Sequence, residues 1–112
     1  RCCGEIIKEM AELIWSEEAI SDVEGIFDYI AQDSPLYARY QVESIAASVE
    51  RLRMFPESGR HLPEFPQLPH REIIVGNYRV IYRYDSSIGE AKIVAVVHGS
   101  RLLRETFFIA RD

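Results

Sequence analysis

Cysteine is nearly absent from the sequence: the 112 residues hold two, Cys2 and Cys3, side by side near one end. Adjacent thiols can neither staple two distant segments nor supply a four-ligand zinc site, so no disulfide framework and no structural metal is expected. Long apolar runs are missing as well. Without a stretch of about 18 apolar residues, or a basic flank leading into an apolar segment, neither a transmembrane helix nor a secretory leader is expected. The protein is read as cytoplasmic, without a membrane partner. A glycine-rich phosphate loop, a nucleophile elbow and paired metal-ligand spacings are also lacking, and His61, His70 and His98 stand at unrelated positions. No metal and no cofactor is expected, and a nucleotide hydrolase is disfavoured.

What is present is the composition of a folded globule, with 47% hydrophobic and 28% charged residues. The length fits one domain. Residues 1–9 (RCCGEIIKE) do not resemble the start of a domain, and Lys8-Glu9-Met10 is what a purine-rich ribosome-binding site and start codon would encode in frame. They are set apart as a leader, and residues 10–112 are read as a single domain. The net charge of −5 argues against autonomous binding to a polyanion, which rests on cationic contacts. It is unevenly spread. Met10 to Pro66 carries eleven acidic residues against four basic, whereas Gln67 to Asp112 carries seven basic against five acidic, so the positive surface belongs to the second half.

The pattern along the chain predicts an α+β fold. Ala11–Trp15 reads as a strand, followed by Ser16 as an N-cap with Glu17 and Glu18 opposing the helix dipole. Ile20, Val23, Ile26 or Phe27, and Ile30 then form the buried face of a helix, with Asp22, Glu24 and Asp28 turned elsewhere. Ser34 caps a second helix with Pro35 at its first position and Ala38, Val42, Ile45, Val49 and Leu52 as its apolar stripe. Arg39 and Glu43 can pair, and Pro56 ends the element. The tight connection makes the two helices an antiparallel hairpin. Prolines 56, 63, 66 and 69 predict an irregular connection. Glu72–Val75, the Gly76-Asn77 turn and Tyr78–Tyr84 read as a β-hairpin, and Ala91–His98 as a third antiparallel strand after a turn at Ser86–Gly89. One helical hairpin covers one sheet face. The other is expected to face water or a partner, and an apolar tail containing Leu102, Leu103, Phe107, Phe108 and Ile109 should dock somewhere.

Strand alternation places Arg79, Ile81 and Arg83 on one face and Val80, Tyr82 and Tyr84 on the other. A two-residue turn sets Ile74 opposite Arg79 and Glu72 opposite Ile81, so Arg79 should have Glu72 nearby. Such a face could bind an anion or a partner; it could equally be a solvated strand face with ordinary ion pairs. At the end of the last strand, His98-Gly99-Ser100-Arg101 could gather imidazole, hydroxyl and guanidinium for acid–base work on a phosphodiester. That chemistry needs a second titratable group. Tyr82, Tyr84, Glu72, His61 and His70 qualify by type, and a lone histidine at a strand end is more often structural.

The order of these elements, together with specific strings, resembles the RelE/ParE superfamily of bacterial toxins from type II toxin–antitoxin modules. The strings are Ser34-Pro35, Phe55-Pro56-Glu57-Ser58-Gly59-Arg60, Arg71-Glu72-Ile73 with Val75-Gly76-Asn77-Tyr78-Arg79-Val80-Ile81-Tyr82-Arg83, and Val97-His98-Gly99-Ser100-Arg101. They run from Ala11 to about Leu103. The resemblance implies a growth-arresting toxin, of the kind met in plasmid stabilisation, neutralised by a cognate antitoxin whose other domain binds operator DNA, so that DNA is met only through the antitoxin.

Two branches of the superfamily imply different chemistry. RelE-like members cut mRNA on the ribosome. In them Arg79 and Arg101 would be catalytic, with His98 as proton carrier, because the position resembling their C-terminal tyrosine holds Phe107, which has no hydroxyl. ParE-like members poison DNA gyrase and need no catalytic residue. They are more similar in the Phe-Pro-x-x-Gly-Arg helix exit and the Val-x-His-Gly-x-Arg ending, and the acidic balance agrees. The expectation is therefore a gyrase inhibitor, with Arg71, Arg79, Arg83 and Arg101 as the set that binds target or antitoxin. An mRNA endonuclease and a non-toxic antitoxin-binding homologue are the alternatives, and self-association is left open.

Overall fold

The computed structural model describes residues 10–111, so the leader expected at residues 1–9 lies outside the described residues. Strand β1 (Glu12–Trp15) ends at Ser16, whose Oγ accepts the Ala19 backbone N–H at 3.0 Å and starts α1 (Glu17–Ala31). Ser34 does the same for Tyr37 at 3.1 Å, and Pro35 opens α2 (Pro35–Glu50), which tightens into a single 3₁₀ turn at Arg51–Arg53. On its outer face Arg39 Nε meets Glu43 at 3.0 Å. Both expected caps and the expected pairing are therefore present.

The inward faces of the helices differ in detail from the periodic reading. On α1 the buried residue is Ala19, flanked by half-buried Val23 and Ile26, while Ile20 and Phe27 are 45% and 37% exposed. The buried face therefore centres on the small Ala19, and Asp22, half-buried, accepts the Val96 N–H of the sheet rather than facing solvent. On α2 Ala38, Ile45 and Val49, and on the 3₁₀ turn Leu52, are buried as expected. Val42 is only half-buried, because Gln41 takes the inner position and reaches the Val75 carbonyl at 3.5 Å beside the Gly76 turn.

Five strands form one mixed sheet in the order β1-β5-β4-β3-β2: β2 is Arg60–His61, β3 Arg71–Val75, β4 Tyr78–Asp85 and β5 Glu90–His98. The β3–β4 hairpin turns at Gly76, whose φ of +61° suits a residue without Cβ. Its register is the expected one, Ile74 opposite Arg79 and Glu72 opposite Ile81. β1 joins the far edge by parallel pairing with β5. Across β4 and β5, Ile81 faces Ala95 and Tyr82 faces Ile93, so Val94 is an extra residue that bends β5.

The helices cover one face, over a core that includes Ile45, Val49, Leu52, Val80, Tyr82 and Ile93. The other face is not open, contrary to the expectation. Leu62, Ile81, Val94, Ala95, Val97, Leu103 and Phe108 form a second core there, with Phe65, Leu68 and Phe107 packed against it. Two segments supply this cover. Residues 56–70, expected to be irregular throughout, contain strand β2 and fold Leu62, Phe65 and Leu68 over the sheet; their prolines restrict the backbone without preventing burial of the side chains between them. The apolar tail forms α3 (Glu105–Arg111) and docks Phe108 on the same face. No helix among the described residues is long and apolar enough to cross a membrane.

Candidate functional site

The Phe55–Arg60 string works as a buckle between the end of α2 and the sheet. Tyr82, buried on the helix side of β4, donates its hydroxyl proton to the Pro56 carbonyl at 2.8 Å and accepts the Gly59 N–H at 2.9 Å. Burial pushes the Tyr82 phenol above its ordinary pKa. A Cβ at position 59 would stand 2.6 Å from that hydroxyl and 2.7 Å from the Glu72 carbonyl, so only glycine lets the chain pass. Arg71 adds bonds from Nη1 to the carbonyls of Glu57 and Gly59 at 3.2 and 2.8 Å.

The buckle delivers Arg60 to Glu72. On the face opposite the helices, the Glu72 carboxylate is fully buried, with Arg60 Nε at 2.6 Å on Oε2 and Arg79 Nε at 2.6 Å on Oε1. The diagonal placement of Glu72 and Arg79 follows from the hairpin register. Arg79 then extends Nη1 and Nη2 side by side to Glu64, at 2.7 and 2.9 Å. The result is a chain of alternating charge, Arg60–Glu72–Arg79–Glu64. Its outer pair is mutually reinforcing: the Arg79 guanidinium holds the Glu64 carboxyl below the usual range, and Glu64, followed by Glu72, holds Arg79 above its own against the pull of burial. A hollow of about 200 Å³ beside it is lined by Arg60, Pro63, Glu64, Ile74, Arg79 and Gly99.

His98 is on the other side of the sheet. It pairs with Tyr78, which packs into the helix-side core, and the two rings meet edge to face at 5.5 Å. Its Nδ1 accepts the Ser100 N–H at 3.1 Å and contacts Ser100 Oγ at 2.8 Å, which leaves Nε2 to carry the ring proton of the neutral imidazole. Arg101, exposed on the following turn, lies 5.0 Å above the Phe107 ring, and Arg111 lies 4.5 Å from the same ring. Arg111 also makes a two-pronged bond to Asp22, at 2.6 and 3.2 Å, and donates to the Val94 carbonyl at 3.1 Å, while Asp22 accepts the Val96 N–H at 3.0 Å. That pair ties α3 to α1 across the stretch of β5 that β1 does not reach.

The expected site residues are thus divided. Arg79 and Arg83 project from the face opposite the helices, Arg79 buried and Arg83 exposed near Asp85. Arg71 is on the helix side, bonded to backbone carbonyls. His61 is exposed on β2, and His70 is buried with its ring 5.0 Å from Phe108. The sequence reading missed Glu64, Asp22 and Arg111, and the only signal was the position of Glu64 in a proline-bounded string that ties it to one place.

Comparison with known proteins follows the same lines. The family model described as ParE toxin of type II toxin–antitoxin system, parDE, matches residues 13–103. A curated protein from Caulobacter vibrioides, Toxin RelE2, is 34% identical over 93 residues, spanning 83% of this chain and all of its own length. Among solved structures, the chromosomal ParDE system of P. aeruginosa superposes with a TM-score of 0.66 at 23% identity, covering 81% of this chain and 98% of that one. A mutant of E. coli toxin RelE in the free state gives 0.60 at 13% identity, with 91% and 94% covered. At these identities the two structures share the fold.

Proposed function

The chain belongs to the RelE/ParE superfamily of type II toxin–antitoxin toxins, and from that premise we propose that it arrests growth by binding a protein, DNA gyrase, and is neutralised in the cytoplasm by a cognate antitoxin. One observation carries this reading. The guanidinium best placed to hold a scissile phosphate, Arg79, is buried between Glu64 and Glu72, and the imidazole that would move the proton projects from the opposite face. Cleavage needs both groups at one phosphorus centre. Phe107 offers no substitute, and the overall charge of −5 works against a ribosomal RNA surface.

The surface agrees with a protein target. Tyr29, Leu36, Tyr37 and Tyr40 project from the helical hairpin at 50–78% exposure, with the Tyr37 and Tyr40 rings stacked at 6.1 Å. Exposed tyrosines are typical of protein contacts, because they bury a large area at low entropic cost. Purified protein is expected to block gyrase supercoiling of relaxed plasmid and to leave mRNA on programmed ribosomes intact. Cut transcripts with undisturbed supercoiling would move the assignment to the RelE-like branch. That second reading has its own support in the exposed Arg101, the Nε2 of His98, and a curated relative named Toxin RelE2.

A further inference from the structure

The Arg79–Glu64 contact differs from a solvated surface pair in how it is built. Arg79 is 8% exposed and fixed from below by Glu72, which Arg60 also holds, so its orientation does not depend on Glu64. Glu64 is 34% exposed and meets the fork at its outer edge. Removing its carboxylate would leave a guanidinium that lines a hollow of about 200 Å³, room enough for a carboxylate together with the side chain that carries it. Two arginines would then face one carboxylate, a local charge of +1 suited to one monoanion. Both Nη atoms present the side-by-side donors that a carboxylate accepts.

We propose that the outer edge of Arg79 is a carboxylate-docking site, which Glu64 fills in the free chain and an acidic side chain of a protein partner takes over in the complex. The inference rests on the reading that this chain acts through protein contacts, and it specifies the chemistry of one such contact. A carboxylate is favoured over a phosphate for two reasons on the molecule. Exchange of one carboxylate for another leaves the charge beside buried Glu72 unchanged, whereas a phosphate dianion in the same fork would set a second negative charge beside it. The rim is apolar, formed by Pro63 and the 55% exposed Ile74, which suits residues flanking a glutamate or aspartate in a peptide.

Glu64 competes for the fork, so a ligand binds with its intrinsic affinity reduced by the fraction of open sites. The test uses the full chain with N-acetylated, amidated hexaglutamate as probe, and hexaadenylate RNA and inorganic phosphate as comparisons, at low salt. Glu64→Gln and Glu64→Ala are both expected to bind hexaglutamate about tenfold more tightly than the parent, as if roughly nine-tenths of forks were closed. In the unaltered chain, excess hexaglutamate should shift the Arg79 guanidinium and the Glu64 carboxyl NMR signals together. Unchanged affinity in both variants, shifts confined to other arginines, or an equal gain for hexaadenylate or phosphate would overturn the proposal. Gyrase is absent from this experiment, so loss of the supercoiling effect with hexaglutamate binding intact would remove the gyrase assignment alone.

Discussion

Gly59 is a position where one methyl group would separate two elements. Its Cβ would collide with the Tyr82 hydroxyl and the Glu72 carbonyl, and neither can retreat from a packed interior. Gly59→Ala is expected to destabilise the fold by about 2 kcal/mol, the usual scale of overpacking, measured by urea unfolding. Tyr82→Phe is expected to cost a similar ~1–3 kcal/mol by leaving the Gly59 N–H and Pro56 carbonyl without their partner. Acid should also weaken the molecule. Glu64 has a lower pKa folded than unfolded, so its contribution is complete above the unfolded value of about 4.5 and fades as pH falls through the folded one. Unfolding at pH 3.5 and 7 should therefore differ less in Glu64→Gln than in the parent. Tyr82 shifts the other way, and its contribution is complete below 10.0 and declines at higher pH. Of these residues, the nearness of Arg79 to Glu72 was legible from turn length and strand alternation. Glu64 was not, because it comes from a segment whose prolines suppress every periodic signal.

At the scale of elements, the capping residues make a local claim that can be checked locally. Ser16→Ala should cost about 1 kcal/mol and fray the start of α1, seen as faster amide exchange at Ala19. The docking of α3 depends on a longer connection. Arg111→Ala removes both bonds to Asp22 and the bond to Val94, and amide exchange in α3 is expected to accelerate while β3 and β4 keep their protection. The caps, the helical hairpin and the β3–β4 register were readable because each depends on neighbours within a few residues. The β5 bulge, the two-residue β2 and the seven-residue α3 were not, since all three are decided by what they pack against.

For the molecule as a whole, the largest departure from the sequence reading is the covered second face. Counting helices suggested a half-open sheet, but loops can shield a sheet when their apolar residues point inward, as Leu62, Phe65 and Leu68 do. The consequence for function is that interaction surfaces must be sought on the helices and at the Arg79 hollow instead of on a bare β-layer. Replacing Leu36, Tyr37 and Tyr40 together by serine should leave the thermal midpoint nearly unchanged, because all three side chains are exposed, and abolish growth arrest in cells lacking antitoxin.

The parallel joining of β1 to β5 has a temporal meaning. β1 leaves the ribosome before either helix, and its partner comes after every other strand, so closing the sheet waits on nearly the whole domain. Such distant pairing slows folding and leaves a nascent chain with an unmatched edge for the length of its synthesis. The harmful activity proposed here would therefore begin only some time after translation ends, an interval in which an antidote already waiting in the cell can arrive first.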